Sequence, residues 1–278
     1  GVRATGLRIV SSDGSRTEVR AKVVVDASGR ACVIGRQLGL RSDLSTLRKA
    51  SAWSYYRGGE RLPGIDAGET TMFLIPGGGW FWCIPLPDDI VSVGIVADPE
   101  YLFSQTDDLE RAFYREVNLC APLFARLAQA KRAGPVRGSR QLAYLNRQTC
   151  GDGWVMIGDA RAFLDPIFSS GVTIAVLSAR LLATEIAGAL REGRALALEE
   201  YWRRCEIAYT TFDRLIERFY RPEWVRNVFF ASGAEDRLVR EFTSILAGDV
   251  WRDDNDIQQK FLKTKPRTGY GSEPAGTR

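Results

Sequence analysis

The spacing of apolar residues divides the chain into segments of strand-like and helix-like period. Near the start, residues 6–10 and 16–21 flank an Asp-Gly turn, which predicts a β-hairpin. The β-branched run at 23–25 predicts a strand covered on both faces, and a short helix is expected over 32–40. This first segment therefore mixes strands with a helix.

The middle of the chain changes to alternating apolar and polar positions. Residues 50–97 are interrupted by Gly-, Pro- and Asp-rich turns and predict an antiparallel meander. Its strands are expected at 52–57, 70–76, 80–87 and 90–97. Apolar residues at helical spacing over 107–130 predict a helix that breaks at Pro122, and 136–146 predict a further strand.

The last third is mainly helical in pattern. A strand at 153–157 comes first and runs directly into Gly158 and Asp159. Helices are then expected at 172–190, 197–220, 224–232 and 235–247, the second ended by Pro222. Residues 264–278 are rich in Gly, Pro, Ser and Thr and predict a disordered tail. The fold class predicted from these periods is α/β, or α+β over the whole chain.

Composition narrows the possible functions. With 45% hydrophobic and 26% charged residues, the 278-residue chain is typical of a soluble globular protein. The net charge of +4 is scattered, so no nucleic-acid partner is expected, and charges at Arg180 and Glu185 argue against a membrane span. Five widely separated cysteines indicate free thiols and a cytoplasmic location. The absence of histidine excludes Ser-His-Asp and Cys-His catalysis and imidazole-bound zinc, and no metal site is expected.

The segment 158–171 carries the strongest chemical pattern. A carboxylate, Asp159, follows a buried-type strand, and Pro166 precedes the small residues 169–171 and an apolar run. Proline suits a first helical turn, and the free amides of a helix start attract anions. The plainer alternative is an Asp that caps a turn beside a helix start packed on the sheet.

Two further motifs accompany this segment. Asp26-Ala27-Ser28-Gly29 ends an apolar strand with small residues that allow a ligand close to the backbone. The second motif is Trp80-Phe81-Trp82-Cys83-Ile84-Pro85. On its own, this motif also fits an ordinary strand whose alternate side chains face one layer.

The three motifs, in this order, resemble those of flavin-dependent halogenases of the FAD hydroxylase and halogenase superfamily, which carry a W-x-W-x-I-P sequence. The resemblance implies FAD, used as FADH2, with chloride or bromide as co-substrate. It implies cofactor contacts at Asp26, Ala27, Ser28, Gly29, Gly158, Asp159, Pro166 and Gly171, and halide contacts at Ser169, Ser170 and Gly171. It also implies that Trp80, Trp82, Ile84 and Pro85 separate the flavin from the organic substrate.

The implied activity is O2-dependent chlorination or bromination of an electron-rich aromatic ring by hypohalous acid made at the flavin, as in antibiotic biosynthesis and other secondary metabolism. A separate flavin reductase would supply FADH2. Tryptophan-specific members carry Glu where this chain has Phe168. A phenolic or pyrrolic substrate is therefore expected, free or tethered to a carrier protein, rather than tryptophan.

The resemblance also implies a domain plan. Residues 1–41 and 150–190 would form part of a Rossmann-like FAD-binding domain, 42–149 an antiparallel-sheet substrate domain, and 191–263 a helical region. The family's G-x-G-x-x-G loop and catalytic lysine have no counterpart here, so the chain is expected to be N-terminally incomplete. Two alternatives remain open: a flavin-dependent monooxygenase or reductase of the same superfamily, and a non-catalytic truncated flavoprotein.

Overall fold

The computed structural model describes residues 3–229, 236–251 and 254–263. These residues form two compact units, the first from the described parts of Gly1–Thr46 and Tyr144–Arg278, the second from Leu47–Ala143. Both strands and helices are present, so the predicted mixed class is confirmed. The predicted tail at 264–278 and the end of the helix predicted at 224–232 lie outside the described residues. The predicted functional domains stay a prediction.

The described elements are numbered in chain order. The strands are β1 (Gly6–Val10), β2 (Arg16–Arg20), β3 (Val24–Asp26), β4 (Arg41–Asp43), β5 (Ala50–Arg57), β6 (Thr71–Ile75), β7 (Gly79–Pro85), β8 (Ile90–Ala97), β9 (Lys131–Arg132), β10 (Arg137–Ser139), β11 (Tyr144–Asn146), β12 (Cys150–Gly151), β13 (Trp154–Met156) and β14 (Ala162–Phe163). The α-helices are α1 (Val33–Gln37), α2 (Pro99–Leu102), α3 (Leu109–Leu119), α4 (Ala121–Leu127), α5 (Gly171–Glu192), α6 (Glu199–Phe219), α7 (Pro222–Phe229), α8 (Asp236–Leu246) and α9 (Asp256–Leu262). Short 3₁₀ turns lie at Gly29–Ala31, Ser45–Leu47, Gly64–Gly68, Gly158–Ala160 and Pro166–Phe168.

The first unit contains small sheets. The predicted hairpin is confirmed as β1 and β2. In a second sheet, ordered β12-β13-β3, strand β3 runs parallel to β13 and forms the edge. The prediction that this strand is covered on both faces is wrong. Val24 is buried, but 39% of Val25 is exposed, because successive side chains of a strand point to opposite faces and only one face is covered here.

The single strand predicted at 136–146 is also wrong. The segment holds two short strands, with β10 in the second unit and β11 in the first, where β11 pairs with β4 and β14. Between them, the Ser139 hydroxyl donates to the Gln141 carbonyl and the Leu142 amide donates to Lys49. These bonds turn the backbone away from the ladder, so a continuous strand cannot form.

The helices of the first unit follow the predicted order. Helix α5 ends at Gly193, whose φ of +66° suits a left-handed C-terminal cap. Pro222 does not end the preceding helix as predicted; α6 stops at Phe219, and Pro222 opens α7, since proline is tolerated in a first helical turn.

Helix α5 is the one described helix that is long and apolar enough to span a membrane by length and composition. Its mean hydropathy is 1.5, and 22% of the relevant window is buried. It packs against α6 and the 3₁₀ turn Gly158–Ala160 of the same unit. Such packing within a unit is also found in the core helices of soluble proteins, so the composition of α5 is weak evidence for a membrane span.

The second unit is built on one antiparallel sheet ordered β10-β5-β8-β7-β6, with β9 also on β5. Only β6, β7 and β8 form the predicted meander. Strand β5 is not next to β6, because it forms an eight-residue ladder with β8 instead. The core of the unit lies on one sheet face, where Phe81 and Phe113 are fully buried with their ring centroids 6.4 Å apart.

Candidate functional site

Two parallel strands of the first unit end at the same sheet edge. In the β3–β13 pair, Asp26 lies opposite Met156, and the Ile157 amide donates to the Asp26 carbonyl at 3.0 Å. The two motifs predicted from the sequence, 26–29 and 158–171, therefore begin side by side. The carboxyl ends of parallel strands are a common place for a ligand site in α/β proteins.

A cavity of about 520 Å³ opens beyond this edge. Its volume lies within the range of about 300–1,000 Å³ that is usual for small-molecule and cofactor sites. The lining is mostly apolar and comes from residues of the first unit only. These residues are Ala27, Gly29, Ile157, Gly158, Asp159, Ala162, Phe163, Leu164, Asp165, Pro166, Ser169, Ser170, Gly171, Val172, Ile174, Ala175 and Tyr209.

Asp159 brings a carboxylate to the cavity wall. Among the described residues, no hydrogen-bond donor is paired with its side-chain oxygens, whereas its backbone carbonyl accepts from the Tyr144 hydroxyl at 2.7 Å. Burial raises the pKa of the Asp159 carboxyl above its ordinary value, and the positive charge of Arg30 offsets part of the rise. An unengaged, half-buried carboxylate in a cavity is well suited to accept hydrogen bonds from hydroxyl groups of a ligand.

The N-terminus of α5 forms another part of the wall. Ser169 precedes the helix with a φ of +50°, a region that few non-glycine residues adopt. No described group accepts a hydrogen bond from the backbone amides of Gly171 and Val172, as is usual for a first helical turn. These amides and the helix dipole favour a negative charge at this end of the cavity.

Glycines keep part of the wall as bare backbone. A Cβ at Gly29 would meet no atom within 4 Å, and one at Gly171 would meet only the Asp159 carboxylate, at 3.9 Å. A Cβ at Gly158, in contrast, would lie 2.9 Å from the Cβ of Ala175. Gly158 therefore allows α5 to approach the turn, while Gly29 and Gly171 leave room for a ligand.

We expect Gly158→Ala to lower the free energy of unfolding by about 1–3 kcal/mol, because its φ is +52° and the new methyl group would press on Ala175. Gly29→Ala is the matched control. It introduces similar left-handed strain at φ +60° without a steric contact. Chemical denaturation of both variants measures the difference, and equal losses would show that the approach of α5 does not depend on Gly158.

The structure separates the predicted cofactor residues into two groups. Most line the cavity, but Asp26 and Ser28 do not. The Asp26 carboxylate accepts from the amides of Ser28 at 3.0 Å and Ile34 at 2.7 Å, and the Ser28 hydroxyl accepts from Val33 at 3.0 Å. These two side chains therefore hold the turn that presents Ala27 and Gly29.

The predicted tryptophan motif lies on β7 of the second unit. Trp80, Trp82 and Ile84 share the sheet face opposite to Phe81 and Cys83, which belong to the unit's core. The two indole rings lie 5.9 Å apart, and Trp82 donates to the Ser92 hydroxyl at 3.1 Å. A shared face agrees with strand geometry, and the role of these residues and of Pro85 at a flavin stays a prediction.

Sequence reasoning missed several residues around the cavity. Tyr209 on α6 lines it and donates to the Gly158 carbonyl at 3.0 Å. Behind its ring lies the guanidinium of Arg161, 4.3 Å from the ring centroid and ion-paired with Glu206. Arg30, whose charge acts on the Asp159 carboxyl, is another missed residue. Its position directly after the predicted turn at Gly29 was a signal that sequence analysis could have used. Nothing local marks Tyr209, since it reaches Gly158 across 51 positions of the chain.

Comparison with known proteins places these features in a family. A family model of tryptophan halogenases matches residues 7–245. A 1H-pyrrole-2-carbonyl–(peptidyl-carrier protein) chlorinase of Pseudomonas fluorescens is 29% identical over 242 residues, which are 84% of this chain and 53% of that protein. A tryptophan 2-halogenase of Chondromyces crocatus is 31% identical over 229 residues, 79% of this chain and 43% of that protein.

A solved structure is similar as well. A triple mutant of the flavin-dependent brominase Bmp2 superposes with a TM-score of 0.83 and 27% identity, covering 94% of this chain and 65% of that one. The predicted similarity to flavin-dependent halogenases, in sequence and in fold, is thus confirmed. The chain spans about half the length of the curated relatives that it matches.

Proposed function

Because the chain belongs to the tryptophan halogenase family, we propose that the protein takes part in FADH2- and O2-dependent halogenation of an electron-rich aromatic ring. One observation carries the proposal: the Asp159 carboxylate and the first-turn amides of α5, which have no hydrogen-bond partner among the described residues, share one cavity wall. Hydroxyl groups and an anionic edge are the features of a reduced flavin that such a wall would recognise.

The residues present fit this cofactor. Gly29 and Gly171 leave space along bare backbone, and Asp159, on the cavity wall, would accept hydrogen bonds from the ribityl hydroxyls. The amides of Gly171 and Val172 would stabilise negative charge on the flavin ring. When bound, reduced FAD supplies two of the four electrons that reduce O2, and the halide supplies the other two as it becomes hypohalous acid.

We place the chloride or bromide ion at Ser169, Ser170 and Gly171. Ser170 is buried, and all three residues line the cavity at the helix start, where the amides attract anions. The preceding Phe168 packs against Phe219, with ring centroids 5.8 Å apart. This position therefore supplies apolar packing and no carboxylate, which supports a phenolic or pyrrolic substrate over free tryptophan.

The partners follow from the same proposal. A separate flavin reductase would deliver FADH2, and the pyrrole-carrier chlorinase among the relatives supports a substrate tethered to a carrier protein. Trp80 and Trp82 would keep the organic ring from the flavin, so that only a small oxidant passes between them. All five cysteines are free thiols, which supports the cytoplasm as the location.

An activity assay tests the proposal. The protein, expressed from its complete reading frame, would be supplied with FAD, a flavin reductase, O2 and bromide, and offered a phenol, a carrier-bound pyrrole and tryptophan. We expect the isotope doublet of one bromine in the phenol or pyrrole product. Oxygen insertion without bromine would favour the monooxygenase alternative, and flavin binding without any product would favour a non-catalytic flavoprotein.

The bare backbone at Gly171 provides a second test. We expect Gly171→Ala to weaken FAD binding about tenfold, because the methyl group would occupy the cavity beside Asp159. Gly68→Ala is the matched control, since Gly68, like Gly171, has no positive φ, and a new Cβ there would meet no atom within 4 Å. Fluorescence titration with FAD measures both, and equal affinities would place the flavin elsewhere.

A further inference from the structure

Side chains from two elements hold the backbone carbonyls of the cavity's acidic turn. The Tyr209 hydroxyl, on α6, donates to the Gly158 carbonyl at 3.0 Å, and the Tyr144 hydroxyl, on β11, donates to the Asp159 carbonyl at 2.7 Å. The Asn146 amide, also on β11, donates to the carbonyls of Ala160 at 2.7 Å and Arg161 at 3.1 Å. Four successive carbonyls are therefore fixed by side chains distant in sequence.

Both tyrosines are suited to donate these hydrogen bonds. Tyr144 is fully buried and Tyr209 is 2% exposed, and burial raises the pKa of both hydroxyls, which therefore stay protonated and able to donate. The turn that they hold contains the positive φ of Gly158. The carboxylate of Asp159, in contrast, pairs with no donor among the described residues. The backbone around Asp159 is thus held in place, while its carboxylate is available to a ligand in the cavity.

We propose that Tyr144 and Tyr209 are positioning residues, whose hydroxyls clamp the carbonyls on the two sides of the Asp159 side chain and hold its carboxylate at the cavity wall. This inference rests on the proposed function and names residues that the function requires. A carboxylate held in place before the ligand arrives does not have to be ordered on binding. Loss of either hydroxyl should therefore weaken the binding of flavin hydroxyl groups and loosen the turn.

If the two hydroxyls had a purely structural role, their loss would lower stability without a specific loss of FAD affinity. The chain offers a matched control for this comparison. Tyr201 lies on the same helix as Tyr209, is 5% exposed, and donates to the Met156 carbonyl at 3.2 Å. This carbonyl belongs to β13 and precedes the turn. Tyr201→Phe therefore removes a buried hydroxyl bond of the same kind, from the same helix, without releasing the backbone at Asp159.

The experiment compares Tyr144→Phe, Tyr209→Phe and Tyr201→Phe with the wild-type protein. Thermal unfolding reports stability, amide hydrogen exchange reports the order of residues 158–161, and fluorescence titration with FAD reports binding. We expect all three variants to lose similar stability, because each removes one buried hydrogen bond from a tyrosine hydroxyl to a backbone carbonyl. Only Tyr144→Phe and Tyr209→Phe should exchange the turn amides faster and bind FAD about tenfold more weakly.

The proposal is overturned if the turn amides and the FAD affinity of Tyr144→Phe and Tyr209→Phe match those of Tyr201→Phe. Amide exchange can be measured without any ligand, so the clamp by the two tyrosines can be tested separately from the proposed FAD site. If exchange rises as expected but even the wild-type protein fails to bind FAD, the clamp is supported and the proposed cofactor is not.

Discussion

Asp159→Asn should weaken FAD binding about 10- to 100-fold, and at neutral pH it should raise the melting temperature. The loss of affinity follows because hydrogen bonds to a charged acceptor are worth about 1.5–3 kcal/mol. The gain in stability follows because the native state holds this carboxylate half-buried, with no described hydrogen-bond donor paired to it. A residue that costs stability but improves binding is typical of a functional site.

The stability gained by Asp159→Asn should depend on pH in a defined direction. The pKa of Asp159 in the folded protein is raised, so the native state takes up the proton before the unfolded state does as pH falls. The cost of the charge is fully present above the folded pKa and is relieved as pH falls through it toward the ordinary value near 4. The stabilisation by Asp159→Asn should therefore be largest at neutral pH and vanish in acid.

Melting curves from neutral to acidic pH measure this difference, and Asp165→Asn provides the contrast. The Asp165 carboxylate accepts from the Ile167 amide at 3.0 Å and from the Tyr220 hydroxyl at 2.7 Å, so its replacement should lower stability at neutral pH. If Asp159→Asn also lowers stability at neutral pH and leaves FAD binding unchanged, Asp159 is an ordinary capping residue.

Glu206→Met should lower the free energy of unfolding by about 3–5 kcal/mol, one of the largest losses expected of any single change, because it leaves a buried guanidinium without a counter-charge. The Arg161 side chain is 3% exposed, and among the described residues its Nε and Nη1 have no hydrogen-bond partner. Glu206 is 16% exposed, so Arg161→Met should cost less, since solvent can reach the remaining carboxylate. In a thermal melt, Glu206→Met should lower the melting temperature by about 10 °C.

The double variant Arg161→Met/Glu206→Met tests whether the loss of stability comes from leaving one charge of the ion pair without its partner. Replacing both partners with apolar groups of similar size is often neutral, so most of the lost stability should return. Tyr209 stays in place in this variant and still donates to Gly158, so FAD binding should match that of the wild-type protein. Additive losses in the double variant would show that the two charges do not act as a pair.

The sequence predicted those parts of the site that are local in the chain. The strand ends at Asp26 and Met156, the helix start at Gly171 and the cap at Gly193 depend on residues within a few positions of each other. The family could be predicted because three short motifs, at 26–29, 80–85 and 158–171, occur in the order that is found in flavin-dependent halogenases. The lining by Ala27, Gly29 and most residues of the segment 158–171 agrees with that expectation, although a flavin at these residues remains a prediction.

The parts that sequence analysis missed depend on tertiary contacts. The carboxylate of Asp26 is engaged by the amide of Ile34, which lies eight residues away in a helix of its own. Tyr144 and Tyr209 resemble core aromatic residues in sequence, and only the folded chain places their hydroxyls on successive carbonyls. The pairing of β5 with β8 likewise depends on which strands meet, and the apolar alternation is the same for either neighbour.

A crystal structure of the protein with bound FAD tests the central claim most directly. We predict electron density for the flavin ring at the amides of Gly171 and Val172, with ribityl hydroxyls within hydrogen-bond distance of Asp159. Density for the flavin away from this wall, with the Asp159 carboxylate still unengaged, would contradict the account.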